Sequence, residues 1–159
     1  MWTRFYIISA SSKLGDLIYL KDRLLENPRD FANVLQIYYG SQSAKKFEDL
    51  WTNHLLITLE LIDDLVNGNY VGADQTEKKW YSNSSEVADF LSHINPFWKK
   101  SLLETILFGH LSLTKDQILK RINGDYYGDI GSYDLIEYQI SMFADLIIHG
   151  ILKQFYPCS

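Results

Sequence analysis

Cysteine is almost missing from this chain: the only one, Cys158, is next to last. An intrachain disulfide is therefore excluded, and the composition suits a reducing compartment, so a cytoplasmic location is expected. An excess of positive charge is missing too. Against 15 Lys and Arg stand 20 Asp and Glu, which gives a net charge of −5 and a pI near 5.3. The basic residues are scattered between acids with no basic stripe, which argues against a nucleic-acid partner or an anionic membrane surface. Long apolar runs are lacking as well. Phe5 to Ala10 follows Arg4 but is too short for a secretory core segment, and no run approaches the roughly 18 residues of a membrane span, so no membrane partner is expected. A glycine-rich phosphate loop, a Gly-x-Ser-x-Gly elbow and a Cys-x-x-Cys pair are all absent, and no catalytic residue is assigned.

What the chain does contain is a repeat. His54-Leu55-x-x-Thr58, Asn67-Gly68-x-Tyr70-x-Gly72, Ala88-Asp89 and His93 return as His110-Leu111-x-x-Thr114, Asn123-Gly124-x-Tyr126-x-Gly128, Ala144-Asp145 and His149. Each pair is 56 positions apart, as 110 − 54 and 149 − 93 both show. Asn27, Ala32, Asn33 and Leu35 stand at the same distance before Asn83, Ala88, Asp89 and Leu91, a fainter copy. Two helical stretches joined by a glycine turn, repeated at this length, describe tandem αα-hairpins. With 159 residues, 47% apolar and 14% aromatic, the chain can bury a core and reads as one domain over 1–159.

The periodicity predicts an all-α, up-and-down helical bundle of four long helices preceded by a helical N-terminal segment. That segment is a short apolar helix from Trp2 to about Ser11, then a helix capped by Asp16 and running to Tyr39, kinked at Asn27-Pro28 because proline cannot donate to the preceding turn. Gly40-Ser41 ends it. The first long helix, 41–67, aligns Phe47, Leu50, His54, Ile57, Leu61 and Leu65 on one face. Asn67-Gly68 stops it. A second helix is expected from Asp74 to Ile94, loosened at Ser82-Asn83-Ser84-Ser85. Asn95-Pro96 forces a corner, with Pro96 in the first turn of the third helix. That helix carries Leu103, Ile106, His110, Leu113 and Gln117 and stops at Asn123-Gly124. The fourth, about Asp129 to Phe155, turns Ile136, Ile140, Phe143, Ile147 and Ile151 inward.

His54 and His110 are the leading candidates for chemistry. Each lies mid-helix on the apolar stripe, four residues before a threonine, and equivalent positions in tandem hairpins face each other across the bundle. Imidazoles converging in a helical core with carboxylates nearby are how bundle metal sites are built, so His54 and His110, with Asp89 and Asp145, are the candidate ligands of a transition metal. The plain alternative is a pair of buried neutral histidines bonded to backbone or to Thr58 and Thr114. The di-iron Glu-x-x-His motif is missing, because Trp51 and Leu107 precede the histidines by three. Asp89/His93 and Asp145/His149 each share a helical face and sit near helix ends, where an ion pair and the helix dipole suffice to explain them. The dense aromatics, among them Trp51, Trp80, Trp98 and Tyr38-Tyr39, suit packing or the lining of an apolar ligand cavity.

Trp2-Thr3-Arg4, Arg23-Leu-Leu, Tyr38-Tyr39-Gly40, His54-Leu55, Trp80-Tyr81-x-Asn83, Asn95-Pro96-x-Trp98, His110-Leu-x-Leu-Thr114 and Phe143-Ala144-Asp145 together resemble a group of uncharacterised bacterial proteins found in bacilli and relatives. The resemblance covers essentially the whole chain and implies a small helical bundle with no established activity. Some members carry the label acetylglutamate kinase, yet that enzyme class needs an α/β fold and a glycine-rich phosphate site. Members tend to have Glu-His where this chain has Asn53-His54 and Gly109-His110, which weakens a carboxylate-rich metal site. They also tend to start earlier, with a Glu-x-His-Val segment leading into Trp-Thr-Arg.

The functional expectation is an interaction or structural module, with a metal- or small-ligand-binding bundle built on His54 and His110 as the alternative. Trp2, Phe5, Ile7 and Ile8 form an apolar helix with no capping residue. A full hairpin would add turns before Met1, so a groove and exposed apolar surface are expected, covered by a second copy in a homodimer.

Overall fold

A computed structural model describes residues 1–156, so Cys158 lies outside the described residues. The chain forms α1 (Trp2–Ser12), α2 (Leu17–Leu24), α3 (Asn27–Val66), α4 (Tyr70–Ile94), α5 (Lys100–Ile122) and α6 (Tyr126–Phe155), with no strand among the described residues. This is the expected all-α bundle. Gly40, at φ 76° and ψ 170°, breaks α3 into an upper arm of 27–39 and a long helix of 41–66. Only glycine adopts that backbone conformation readily, so the kink falls where the sequence put the helix end.

The long helices run antiparallel because their connections are short. Gly68 and Gly124 take φ values of 73° and 79° and end α3 and α5. Directly after them, the Asn69 and Asp125 side chains accept from the Gly72 and Gly128 amides at 3.1 and 2.9 Å, which starts α4 four residues and α6 three residues earlier than expected. Two other expectations fail. Pro96 sits in the turn between α4 and α5 rather than inside α5, which begins at Lys100. Asp16 stands at the α2 N-terminus without capping it, because its carboxylate accepts the Ser9 hydroxyl instead.

The core has two centres. One gathers Tyr6, Ile7, Leu61, Ile62, Leu111 and Ile118; the other gathers Phe47, Val87, Leu91, Leu103, Leu107 and Phe143, and Trp51 packs against both. α4 is continuous through Ser82–Ser85, because Asn83 and Ser84 turn inward and are buried instead of fraying.

α6 packs along α5 and meets α3 only sparsely. Its ends are tied across the gap. Near its start, Asp129 receives Arg4 of α1 at 2.7 and 3.1 Å. At its far end, Tyr39 donates to Gln154 at 3.2 Å, and the Tyr38 and Tyr39 rings lie 5.3 and 5.4 Å from Phe155. Ile136, Phe143 and Ile151 are buried as expected, whereas Ile140 is 38% exposed. The sequence showed no unbroken membrane-length run, yet α6 holds an 18-residue window of mean hydropathy 1.3 that is apolar and long enough to cross a membrane, with 22% of it buried. Isolated acids interrupt the run without lowering its average much.

Gly150 lets α6 approach the turn before α5: a Cβ there would overlap the Trp98 indole, whose side chain is only 1% exposed. Gly131 faces open space. Gly150→Ala should therefore cost about 1–3 kcal/mol by overpacking, and Gly131→Ala should gain roughly 0.5–1 kcal/mol of helix propensity. Urea denaturation of both variants checks this, and equal effects would contradict the packing.

Candidate functional site

The face of α3 that carries His54 is buried throughout, from Phe47 to Leu65. His54 is 3% exposed and lies between two indoles, with ring centroids 4.9 Å from Trp51 and 5.8 Å from Trp80. Thr58 donates to the His54 carbonyl at 2.8 Å, so the threonine serves the backbone and not the imidazole. The ring is oriented from α4. Asn83 Nδ2 donates to the Leu50 carbonyl at 3.2 Å, which leaves Asn83 Oδ1 facing His54 Nδ1 at 3.0 Å. An amide oxygen only accepts, so the hydrogen-bond network assigns the proton to Nδ1 and the lone pair to Nε2.

His110 of α5 repeats the local bond, Thr114 donating to its carbonyl at 2.8 Å. Its imidazole is held differently. His110 Nδ1 is buried with no hydrogen-bond partner, and so is Oε1 of Gln139, the residue 56 positions after Asn83. Trp80 Nε1 is buried and unpartnered as well. Burial pushes the His54 pKa down from 6.5 to about 3, with the nearby His110 adding to the effect, and burial pushes His110 down to about 4. Both imidazoles are neutral at pH 7.

The two histidines line one cavity of about 380 Å³, set between α3 and α6 where the two core centres meet. Its walls are mostly apolar, including Phe47, Leu55, Leu91, Ile136, Phe143 and Ile151. Phe31, Val34 and Ile148, each half-exposed or more, also line it and open it toward solvent. At the other end stands Arg4, which pairs with the buried Asp129, a carboxylate that also has Arg121 at 3.6 Å, and whose guanidinium lies 4.8 Å over the Tyr133 ring. Gln117 donates to the same carboxylate at 3.1 Å.

His54 and His110 thus come together as the repeat implied, while the candidate carboxylates do not join them. Val87, Ala88 and Leu91 take the inward face of α4, which leaves Asp89 on the surface with Lys100 at 2.7 Å and His93 at 3.6 Å. Asp145 and His149 are exposed on α6. Among the described residues, no three His, Cys, Asp or Glu side chains are grouped to hold a metal ion. Sequence reasoning missed Asn83, Arg4, Asp129 and Gln117 as parts of the site. Asn83 carried a signal, because it lies three and four residues from Trp80 and Val87 on one helical face.

No family model matches the chain, and neither a curated protein nor a solved structure does.

The histidines set a pH dependence. In the unfolded chain they titrate near 6.5; in the fold they stay neutral down to about 3 and about 4. Between those values the unfolded chain binds more protons, so stability should fall as pH drops from about 6.5, by on the order of a few kcal/mol, with the His110 contribution levelling off below about 4 and that of His54 below about 3. Urea midpoints across this range for wild type and His110→Leu test it: the variant should show the shallower loss, and identical slopes would contradict it.

Proposed function

We propose that the protein binds a small, largely apolar molecule in the cavity between α3 and α6. The observation that carries this reading is the cavity itself: about 380 Å³, apolar over most of its wall, with a few convergent polar groups. Native interiors seldom leave such space in the middle of a core, because every missing contact forfeits dispersion energy. Two neutral imidazoles at the wall add hydrogen-bonding capacity without charge. Among the described residues no carboxylate joins the two histidines, which makes an organic ligand a better occupant than a metal ion.

Trp51 and Trp80 line the cavity and flank His54, so their fluorescence reports its filling. Titration with medium-chain aliphatic probes should change that emission saturably. At a hundred times Kd, binding contributes about 2.7 kcal/mol, a rise in Tm of several degrees. Ala144 lines the cavity and is itself exposed. Ala144→Trp should fill the space and abolish the response while the protein stays folded. Probes that change neither emission nor Tm would overturn the reading.

A second reading, self-association, draws support from the outer face of α6. Leu135, Tyr138 and Met142 lie at spacings of three and four and are 56%, 68% and 48% exposed. Two copies pairing along this face would remove an apolar strip from water. Light scattering should then give a dimer that Leu135→Glu dissociates, and a monomeric wild type would refute it.

A further inference from the structure

Which molecule suits the cavity follows from the protons on its two imidazoles. His54 Nδ1–H is committed to Asn83 Oδ1 at 3.0 Å, so the nitrogen it offers a ligand is Nε2, which accepts. His110 Nδ1 is buried without a partner, and a buried N–H stranded in this way is rarer and costlier than a bare lone pair. That places the His110 proton on Nε2, which donates. One acceptor and one donor therefore border the same apolar space. A hydroxyl group satisfies both at once, donating to one nitrogen while accepting from the other.

Charge is selected against. Among the described residues Arg4 is the only cationic side chain lining the cavity and is already held through two nitrogens by Asp129, no carboxylate side chain lines it, and burial lowers the pKa of the Met1 ammonium that borders it. A ligand anion would have to compete with Asp129 for that guanidinium, in surroundings poor in water. Size is limited too. The volume equals that of about a dozen water molecules, so the occupant has on the order of ten heavy atoms.

We propose that the cavity selects uncharged apolar molecules that carry one hydroxyl, an aliphatic alcohol or a phenol, with the hydroxyl bridging His54 Nε2 and His110 Nε2. This rests on the ligand-binding reading above and names the class of ligand.

Three probes of similar size separate the possibilities: nonanol, methyl octyl ether, which accepts but cannot donate, and nonanoate at about pH 8. Calorimetric titration of the wild-type protein should give nonanol an affinity on the order of tenfold above the other two. In addition, ¹⁵N NMR should show His54 as the Nδ1–H tautomer, with its Nε2 resonance moving on addition of nonanol and not of the ether. Equal binding of nonanol and the ether would overturn the hydroxyl assignment while leaving the apolar-ligand reading intact. Tightest binding by nonanoate would overturn it in favour of an anion site at Arg4. Binding of none of the three would remove the ligand reading and this inference together.

Discussion

The bond between Asn83 and His54 governs the middle of this molecule. An imidazole 3% exposed between two indoles has no access to bulk water, so its N–H must find an acceptor inside the protein. Asn83 provides it, and the Leu50 carbonyl in turn holds Asn83. Through this chain α4 is registered against α3 and the second nitrogen of the ring, which burial keeps neutral, is left as an acceptor at the cavity wall. Removing the amide would leave that N–H only the longer contact to the Ser84 hydroxyl, 3.5 Å away, at a cost of about 1–3 kcal/mol.

Around that fixed point the bundle is closed unevenly. α3, α4 and α5 share a packed interior, whereas α6 leans on α5 and reaches the rest of the chain chiefly through its ends. At one end a guanidinium and a buried carboxylate pair; at the other, tyrosine rings pack on Phe155. The buried Asp129 carboxylate is shared by Arg4 at 2.7 Å, Arg121 at 3.6 Å and Gln117 at 3.1 Å, so Arg4 ties α1 to α6 through a network rather than an isolated pair, and forming it offers little net gain over apolar packing. Between the two ties the helices are held apart, and the cavity occupies that space.

Much of this was legible in the chain, element by element. Gly40, Gly68 and Gly124 mark three helix boundaries because backbone with positive φ is nearly reserved for glycine. The spacing from Phe47 to Leu65 assigned the inner face of α3, His54 included. Matching positions of His54 and His110 anticipated that both would border one space. Asp89 and Asp145 went astray because matching positions in two hairpins say nothing of which flank of the helix meets a neighbour. Ser82–Ser85 went astray for a related reason: a polar run reads as loose until His54 appears opposite Asn83 to satisfy it.

Sequence alone thus determined the helices, their corners and the inward aim of the two histidines, since each depends on contacts within a few residues along the chain. Tertiary structure alone decided the tautomer of His54, the unpartnered Nδ1 of His110, the Arg4–Asp129 clamp and the cavity. These arise between residues 29 to 125 positions apart, or from space that no residue fills. A periodic pattern tells which side of a helix avoids water; it does not tell how closely the helix opposite will come.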